Sequence, residues 1–346
     1  MSRCGPVSPS PTVFARGLST SPNTTRSVHE RPHRQGPTMS IQSTLTNLVL
    51  RWQFKNGSKG PLNVGAARHK VDKLAQRYPA PPKDITHTPL PANPAKGLCP
   101  AEWLSVAKPQ RTVLYFHGGG YFFCSLTTHR PTCAYLARTA QARVLSVDYR
   151  MAPENPFPAA VDDAVAWWKE LLAQGTNPAD VVFAGDSAGG GLALACLLAS
   201  RDQGLPLPAG ALLFSPWADL TCSGETMKSK AKDDVMFNPH LLPEAAALYL
   251  KGHSAQDPLV SPVFGNLAGL PELFIFASEH EILLSDSTRL HDKARQQGVK
   301  STLTLHPRLP HVWPTMLMLP EARRDLKVSG DFIARVTSRA PQARAA

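Results

Sequence analysis

The sequence predicts an α/β protein: a mostly parallel central sheet with helices on both faces, under a helical cap. Two observations predict it. Short strand-like runs alternate with helical patterns from Arg111 to His306, the arrangement that builds a covered parallel sheet. One interval, Thr221 to Gln256, breaks that rhythm with polar stretches and a helix but no strand, as an insertion lying like a lid above the strand ends would. A length of 346 residues suits one such domain with a small accessory element.

Taken in order, residues 1–38 are rich in Pro, Ser, Thr and Arg and show no apolar periodicity. That composition cannot bury enough surface to offset its ordering entropy, so a disordered extension is expected. It lacks the apolar centre of a secretory signal, and translation is expected to begin at Met39, where the pattern turns helical. Residues 39–80 read as amphipathic cap helices, with Leu45, Leu48, Val49 and Trp52 at helical spacing. A Pro-rich linker, Pro79 to Pro94, leads into the catalytic domain, 81–346, with its cap insertion at 221–256. Strands are expected at Arg111–Phe116, Arg143–Val147, Asp180–Ala184, Gly210–Phe214, Glu272–Ala277 and Ser301–His306. Helices are expected near Pro131–Ala140, Ala159–Ala173, Ala188–Arg201 and Asp286–Gln297.

The net charge is +11. Residues 1–38 supply five arginines against one acid; the remaining +7 reads as dispersed. No basic run alternates with aromatics, so nucleic acid is not expected as a partner. No stretch approaches the roughly 18 apolar residues of a spanning helix, and no long basic amphipathic helix stands out for surface anchoring. Stable membrane insertion is therefore not expected. Six cysteines are widely spaced without a C-x-x-C pair. That spacing fits reduced thiols and a cytoplasmic location better than a metal site or a disulfide framework.

Gly185-Asp186-Ser187-Ala188-Gly189 matches G-x-S-x-G between a strand and a helix, the context in which a serine is exposed at a tight turn as a nucleophile. A phosphate-binding loop would need a Lys-Ser/Thr pair, where Gly190-Gly191 stand instead. His117-Gly118-Gly119-Gly120 follows directly on another strand. Consecutive glycines are costly, and make sense where backbone N–H groups must approach a developing oxyanion.

These motifs, with Asp148-Tyr149-Arg150-Met151-Ala152-Pro153-Glu154 and Asp257-Pro258-Leu259-Val260-Ser261-Pro262, resemble those of the hormone-sensitive-lipase-like, or family IV bacterial, esterases. The resemblance covers roughly residues 60 to 335. It implies an α/β-hydrolase fold whose cap comprises the N-terminal helices and the mid-chain insertion. It also implies oxyanion donors at the N–H groups of Gly119, Gly120 and Ala188, with His117 organising the loop. Relatives of this kind take short- to medium-chain acyl esters and often pair through a sheet edge, so a homodimer is an expectation.

Chain order in this fold runs Ser, acid, His. The acid should follow the Glu272–Ala277 strand, and the family's Asp position falls on Glu281; Asp286 and Glu279 are the competitors. His311, in the loop after the last strand, is the expected base, ahead of His280, His291 and His306. The function expected is carboxylester hydrolysis through an acyl-enzyme on Ser187, on a small-molecule ester substrate, with no metal or organic cofactor. Tyr121, Phe122 and Trp217 are candidates to line the acyl pocket. The rival readings are an arylacetamide-type amidase and a non-catalytic small-molecule binder of the same fold.

Overall fold

The computed structural model describes residue 5 and residues 33–34, 39–56, 60–78 and 80–337. Most of the predicted disordered extension, residues 1–38, lies outside these. The strands are β1 (His33–Arg34), β2 (Thr86–Leu90), β3 (Ala101–Ser105), β4 (Arg111–Phe116), β5 (Ala142–Val147), β6 (Val181–Asp186), β7 (Gly210–Phe214), β8 (Glu272–Ser278) and β9 (Ser301–His306). They form one sheet in the order β1-β9-β8-β7-β6-β4-β5-β3-β2. Pairing from β5 through β4, β6, β7 and β8 to β9 is parallel, and β2 and β3 are antiparallel additions at one edge. At the other edge β1 pairs in parallel with Thr304 and Leu305 of β9.

Two helices, α3 (Leu126–Ala140) and α9 (Pro320–Thr337), cover one face of the sheet. Three others, α4 (Ala159–Ala173), α5 (Ala188–Asp202) and α8 (Leu284–Gln296), cover the opposite face. Two apolar clusters result, one on each side. Every residue of β6 is buried, and α5 is buried from Ala188 to Ser200; an element apolar all round can only sit inside. β6 and α5 together form the central spine on which the turn carrying Ser187 is built.

Three elements differ from the sequence reading. β2 and β3 were hidden in what read as linker and loop, because β2 is an exposed edge strand containing Pro89 with little apolar alternation. α3 begins at Leu126, five residues before Pro131. Ser125 and Thr128 form a capping box there, and the proline lies inside the helix rather than at its start.

The cap comprises α1 (Ile41–Leu50), a π-helical turn (Arg51–Lys55), α2 (Val64–Ala75), α6 (Thr226–Ser229) and α7 (Leu241–Leu250). The N-terminal helices and the insertion hold each other through main-chain carbonyls. The Lys55 ammonium donates to the carbonyls of Ala231 and Asp234, and Arg51 to those of Lys232 and Asp233. The α1 helix is amphipathic as its spacing predicts, yet its polar face is turned inward. Ser40 and Ser43 donate to the Glu321 carboxylate at 2.7–3.0 Å, and Asn47 donates to the Arg308 carbonyl at 2.7 Å. Its apolar residues face solvent.

Candidate active site

Ser187 sits between β6 and α5 with φ 52 and ψ −122, a left-handed backbone that costs a non-glycine residue about 1–3 kcal/mol. Three main-chain hydrogen bonds over-determine it. Its N–H donates to Phe214 O at 2.9 Å, and its carbonyl accepts from Gly191 N at 3.1 Å and Trp217 N at 2.9 Å. The flanking glycines are required by close approach: a Cβ on Gly189 would lie 2.0 Å from Phe116 O, and one on Gly185 2.3 Å from Gly189 O. Ala188, first residue of α5, carries one of the N–H groups that a helix start leaves without an intrahelical acceptor.

The glycine loop follows β4. His117 is fully buried and stacked on Tyr149 at 4.4 Å. Burial, with His129 nearby, pushes its imidazole down to about 4, so the ring is neutral at pH 7. Its Nδ1 lies 2.7 Å from Gly118 O, and since a carbonyl only accepts, Nδ1 carries the hydrogen. That bond draws the Gly118 carbonyl toward the ring. The Gly119 carbonyl in turn accepts from Phe122 N and Phe123 N, both at 3.0 Å. In a trans peptide the following N–H points opposite to the carbonyl, so tying back these two carbonyls turns the Gly119 and Gly120 N–H groups the other way. Positive φ at Gly119 (111) and Gly120 (58) makes the path possible.

Asp186, inside the nucleophile motif, braces the same loop. Its Oδ1 accepts from Tyr115 OH at 2.7 Å and Gly118 N at 3.1 Å, and Oδ2 faces His129 Nε2 at 3.2 Å. Burial alone would raise Asp186, but His129 and the Tyr115 hydroxyl outweigh it and hold the carboxyl below its ordinary range. The sequence reading assigned Asp186 no role; its position one residue before the serine, after a buried strand, was the available signal.

After β8, Glu281 is 1% exposed and receives two N–H groups: Ser278 N on Oε1 at 2.8 Å and His311 Nδ1 on Oε2 at 2.5 Å. Ser278 Oγ also donates to Leu309 O at 2.5 Å, joining the acid loop to the histidine loop. With Nδ1 donating, His311 Nε2 is left as the ring's acceptor; it is buried without a hydrogen-bond partner. The Phe237 ring, from the insertion, meets the imidazole edge-on at 4.9 Å. Asp234, from the same insertion, accepts from Ile282 N at 2.9 Å and fastens the acid loop to the cap.

The other candidate residues make different contacts. Asp286 Oδ2 accepts from Ala218 N and Asp219 N, each at 2.9 Å, and burial together with Asp219 pushes it up to about 8. Glu279 continues the sheet ladder through its N–H to His306 O. His291 pairs with Ser301 Oγ and His306 packs against Trp313. The aromatic residues expected along the acyl group are buried, as Ser187 and His311 are. Tyr121, Phe122 and Trp217 are between 1% and 5% exposed, and Tyr121 stacks on Tyr249 of α7 at 3.9 Å. Tyr121 also packs against Trp217, ring centroids 6.3 Å apart. Among the described residues no cluster of His, Cys, Asp and Glu could hold a metal ion, and no helix is long and apolar enough to cross a membrane.

Residues 113–315 match the alpha/beta hydrolase fold family. An acetyl-hydrolase of Streptomyces hygroscopicus is 40% identical over 84% of this chain and 94% of its own length. An esterase of Acinetobacter venetianus is 33% identical over 83% and 94%. Among solved structures, an esterase/lipase from an uncultured bacterium is 39% identical with a TM-score of 0.81, matching 87% of this chain and all of that one. An esterase from the bacterial hormone-sensitive lipase family is 35% identical with a TM-score of 0.80 over the same shares. The fold and these relatives agree: the chain belongs to the alpha/beta hydrolase fold family, within its hormone-sensitive-lipase-like esterases, and is a carboxylester hydrolase.

Proposed function

We propose that the chain hydrolyses short-chain acyl esters of small molecules with Ser187 as nucleophile, His311 as base and Glu281 as the acid that orients it. The observation that carries this reading is the 2.5 Å bond from His311 Nδ1 to Glu281. It fixes the tautomer whose Nε2 can accept the serine proton. Ser187 Oγ attacks the carbonyl carbon as its proton passes to Nε2. The tetrahedral oxyanion takes hydrogen bonds from the N–H groups of Gly119, Gly120 and Ala188. Collapse expels the alcohol with the proton returned from Nε2, and water, deprotonated by the same nitrogen, then cleaves the acyl-enzyme. Glu281 accepts the Nδ1–H throughout and stabilises the imidazolium.

A short acyl group is supported by the similarity to a protein named acetyl-hydrolase. The described cysteines are unpaired, which supports a reducing, cytoplasmic compartment. A homodimer would form most readily at the exposed β2 edge. Ser187→Ala should abolish hydrolysis of p-nitrophenyl acetate and labelling by a fluorophosphonate while the circular dichroism melt persists; substantial turnover by the pure variant refutes the assignment. A series of p-nitrophenyl esters from acetate to palmitate should show kcat/KM falling with chain length.

A further inference from the structure

We propose that the outward face of α1, with the cationic flank beside it, docks the protein onto an anionic lipid bilayer surface. Ile41, Leu45, Leu48 and Val49 of α1 are 49% to 78% exposed and fall within an arc of about 100° on the helix, and the exposed Trp52 follows in the π-helical turn. A helix of a globular protein normally turns such a stripe to the core. Here the inward side is already committed, through Ser40, Ser43 and Asn47, to Glu321 and Arg308. A contiguous apolar stripe left in solvent by specific inward polar bonds marks an interaction surface.

Charge selects the partner. Residues 39–78 hold seven basic residues and one acid, hence +6; residues 79–346 hold 25 basic and 24 acidic, hence +1. Within the first segment, Arg51 and Lys55 are turned to the carbonyls of residues 231–234 and Arg68 pairs with Glu154, which leaves Lys70, Lys73 and Arg77 as its exposed cations among the described residues. Lys73 and Arg77 line a surface groove of about 590 Å³ with Trp52 and Leu74. An apolar strip with an adjacent tryptophan and a cationic border suits the boundary between acyl chains and anionic headgroups. A second copy suits it less: an isologous pairing would bring the +6 segment against its own image. The α1 helix carries no charge of its own, which is why the sequence shows no basic amphipathic helix; the fold brings the cations of the following segments alongside.

The test is co-sedimentation of the full chain with vesicles of phosphatidylcholine alone and of equal phosphatidylcholine and phosphatidylglycerol. Binding is expected to the mixed vesicles and to fall with added salt. Leu45→Glu with Leu48→Glu should weaken it by roughly a hundredfold. Lys73→Gln with Arg77→Gln should weaken it by roughly 25-fold, about fivefold per cation. Turnover of soluble p-nitrophenyl acetate, unchanged in all variants, verifies that each is folded and reads the hydrolytic assignment separately. The proposal is overturned if the wild type stays in solution with the mixed vesicles or if the variants bind as it does. It is equally overturned if sedimentation velocity without lipid shows a dimer that the Leu45 and Leu48 changes dissolve, which gives the stripe to a second copy.

Discussion

Replacing Glu281 by glutamine keeps its volume and removes one acceptor. Both carboxylate oxygens are spoken for, Oε1 by Ser278 N and Oε2 by His311 Nδ1; an amide offers one oxygen and one NH2. If the oxygen keeps Ser278, the NH2 faces Nδ1 and forces the hydrogen onto Nε2, the tautomer that cannot take the serine proton. If it turns to His311, the Ser278 N–H is left buried without an acceptor, at about 2 kcal/mol. Even then the neutral amide forfeits about 2–3 kcal/mol of charge-assisted stabilisation of the imidazolium. The sum, about 4–5 kcal/mol, is roughly a thousandfold or more in kcat. Asp286→Asn serves as the comparison: burial keeps that carboxyl protonated up to about pH 8, so the amide replaces a neutral group and kcat should stay within a few-fold. Steady-state hydrolysis of p-nitrophenyl acetate, with thermal melts of both proteins, reads the outcome. The reasoning fails if Glu281→Gln retains a tenth of the activity while Asp286→Asn loses a hundredfold.

Gly189→Ala should cost more than about 4 kcal/mol, since its Cβ would lie 2.0 Å from Phe116 O and 2.5 Å from His117 O, both backbone atoms; a normal melt of the variant contradicts the close approach. Asp234→Ala leaves the N–H groups of Met236, Phe237 and Ile282 without their acceptor. It should cost about 3 kcal/mol or more and lower kcat by loosening the acid loop; denaturant titration and turnover read both. His117 binds a proton only near pH 4 when folded, against its ordinary 6.5. The unfolded chain therefore holds more protons between those values, and stability falls by about 3 kcal/mol as pH drops through that window. Urea titrations across it should show a flatter dependence for His117→Asn, and an unchanged slope counts against the buried neutral ring.

The parallel strands were legible because each is a short apolar run bounded by turn residues, and β4, β7 and β9 coincide with their predicted limits. Of the antiparallel pair, β2 was not, since an exposed edge strand has no buried face to impose a pattern; β3 is largely buried, but its five residues Ala101–Ser105 carry Glu102 among the buried positions and so show no apolar run. For the site, local motifs disclosed Ser187 and the glycine loop, whose demands lie within a few residues. The braces Asp186, Ser278 and Asp234 were silent, because each acts on a loop distant in sequence. Tyr121, Phe122 and Trp217 are ambiguous in the sequence for the same reason: aromatic residues beside such a motif can line a cleft or fill it, and their packing depends on residues as distant as Tyr249 of α7. The inverted α1 shows the limit most clearly. Periodicity identifies an apolar face but does not say which way it points.

Because the proposed nucleophile, acid and base, Ser187, Glu281 and His311, follow β6, β8 and β9, with β7 between the first two, they cannot meet until four adjacent strands have found register. On that assignment, a chain emerging or refolding stepwise should be inert toward esters until its last strand has docked. Recovery of turnover would time that final event, later than any recovery of helical signal, and partly assembled forms could not acylate themselves.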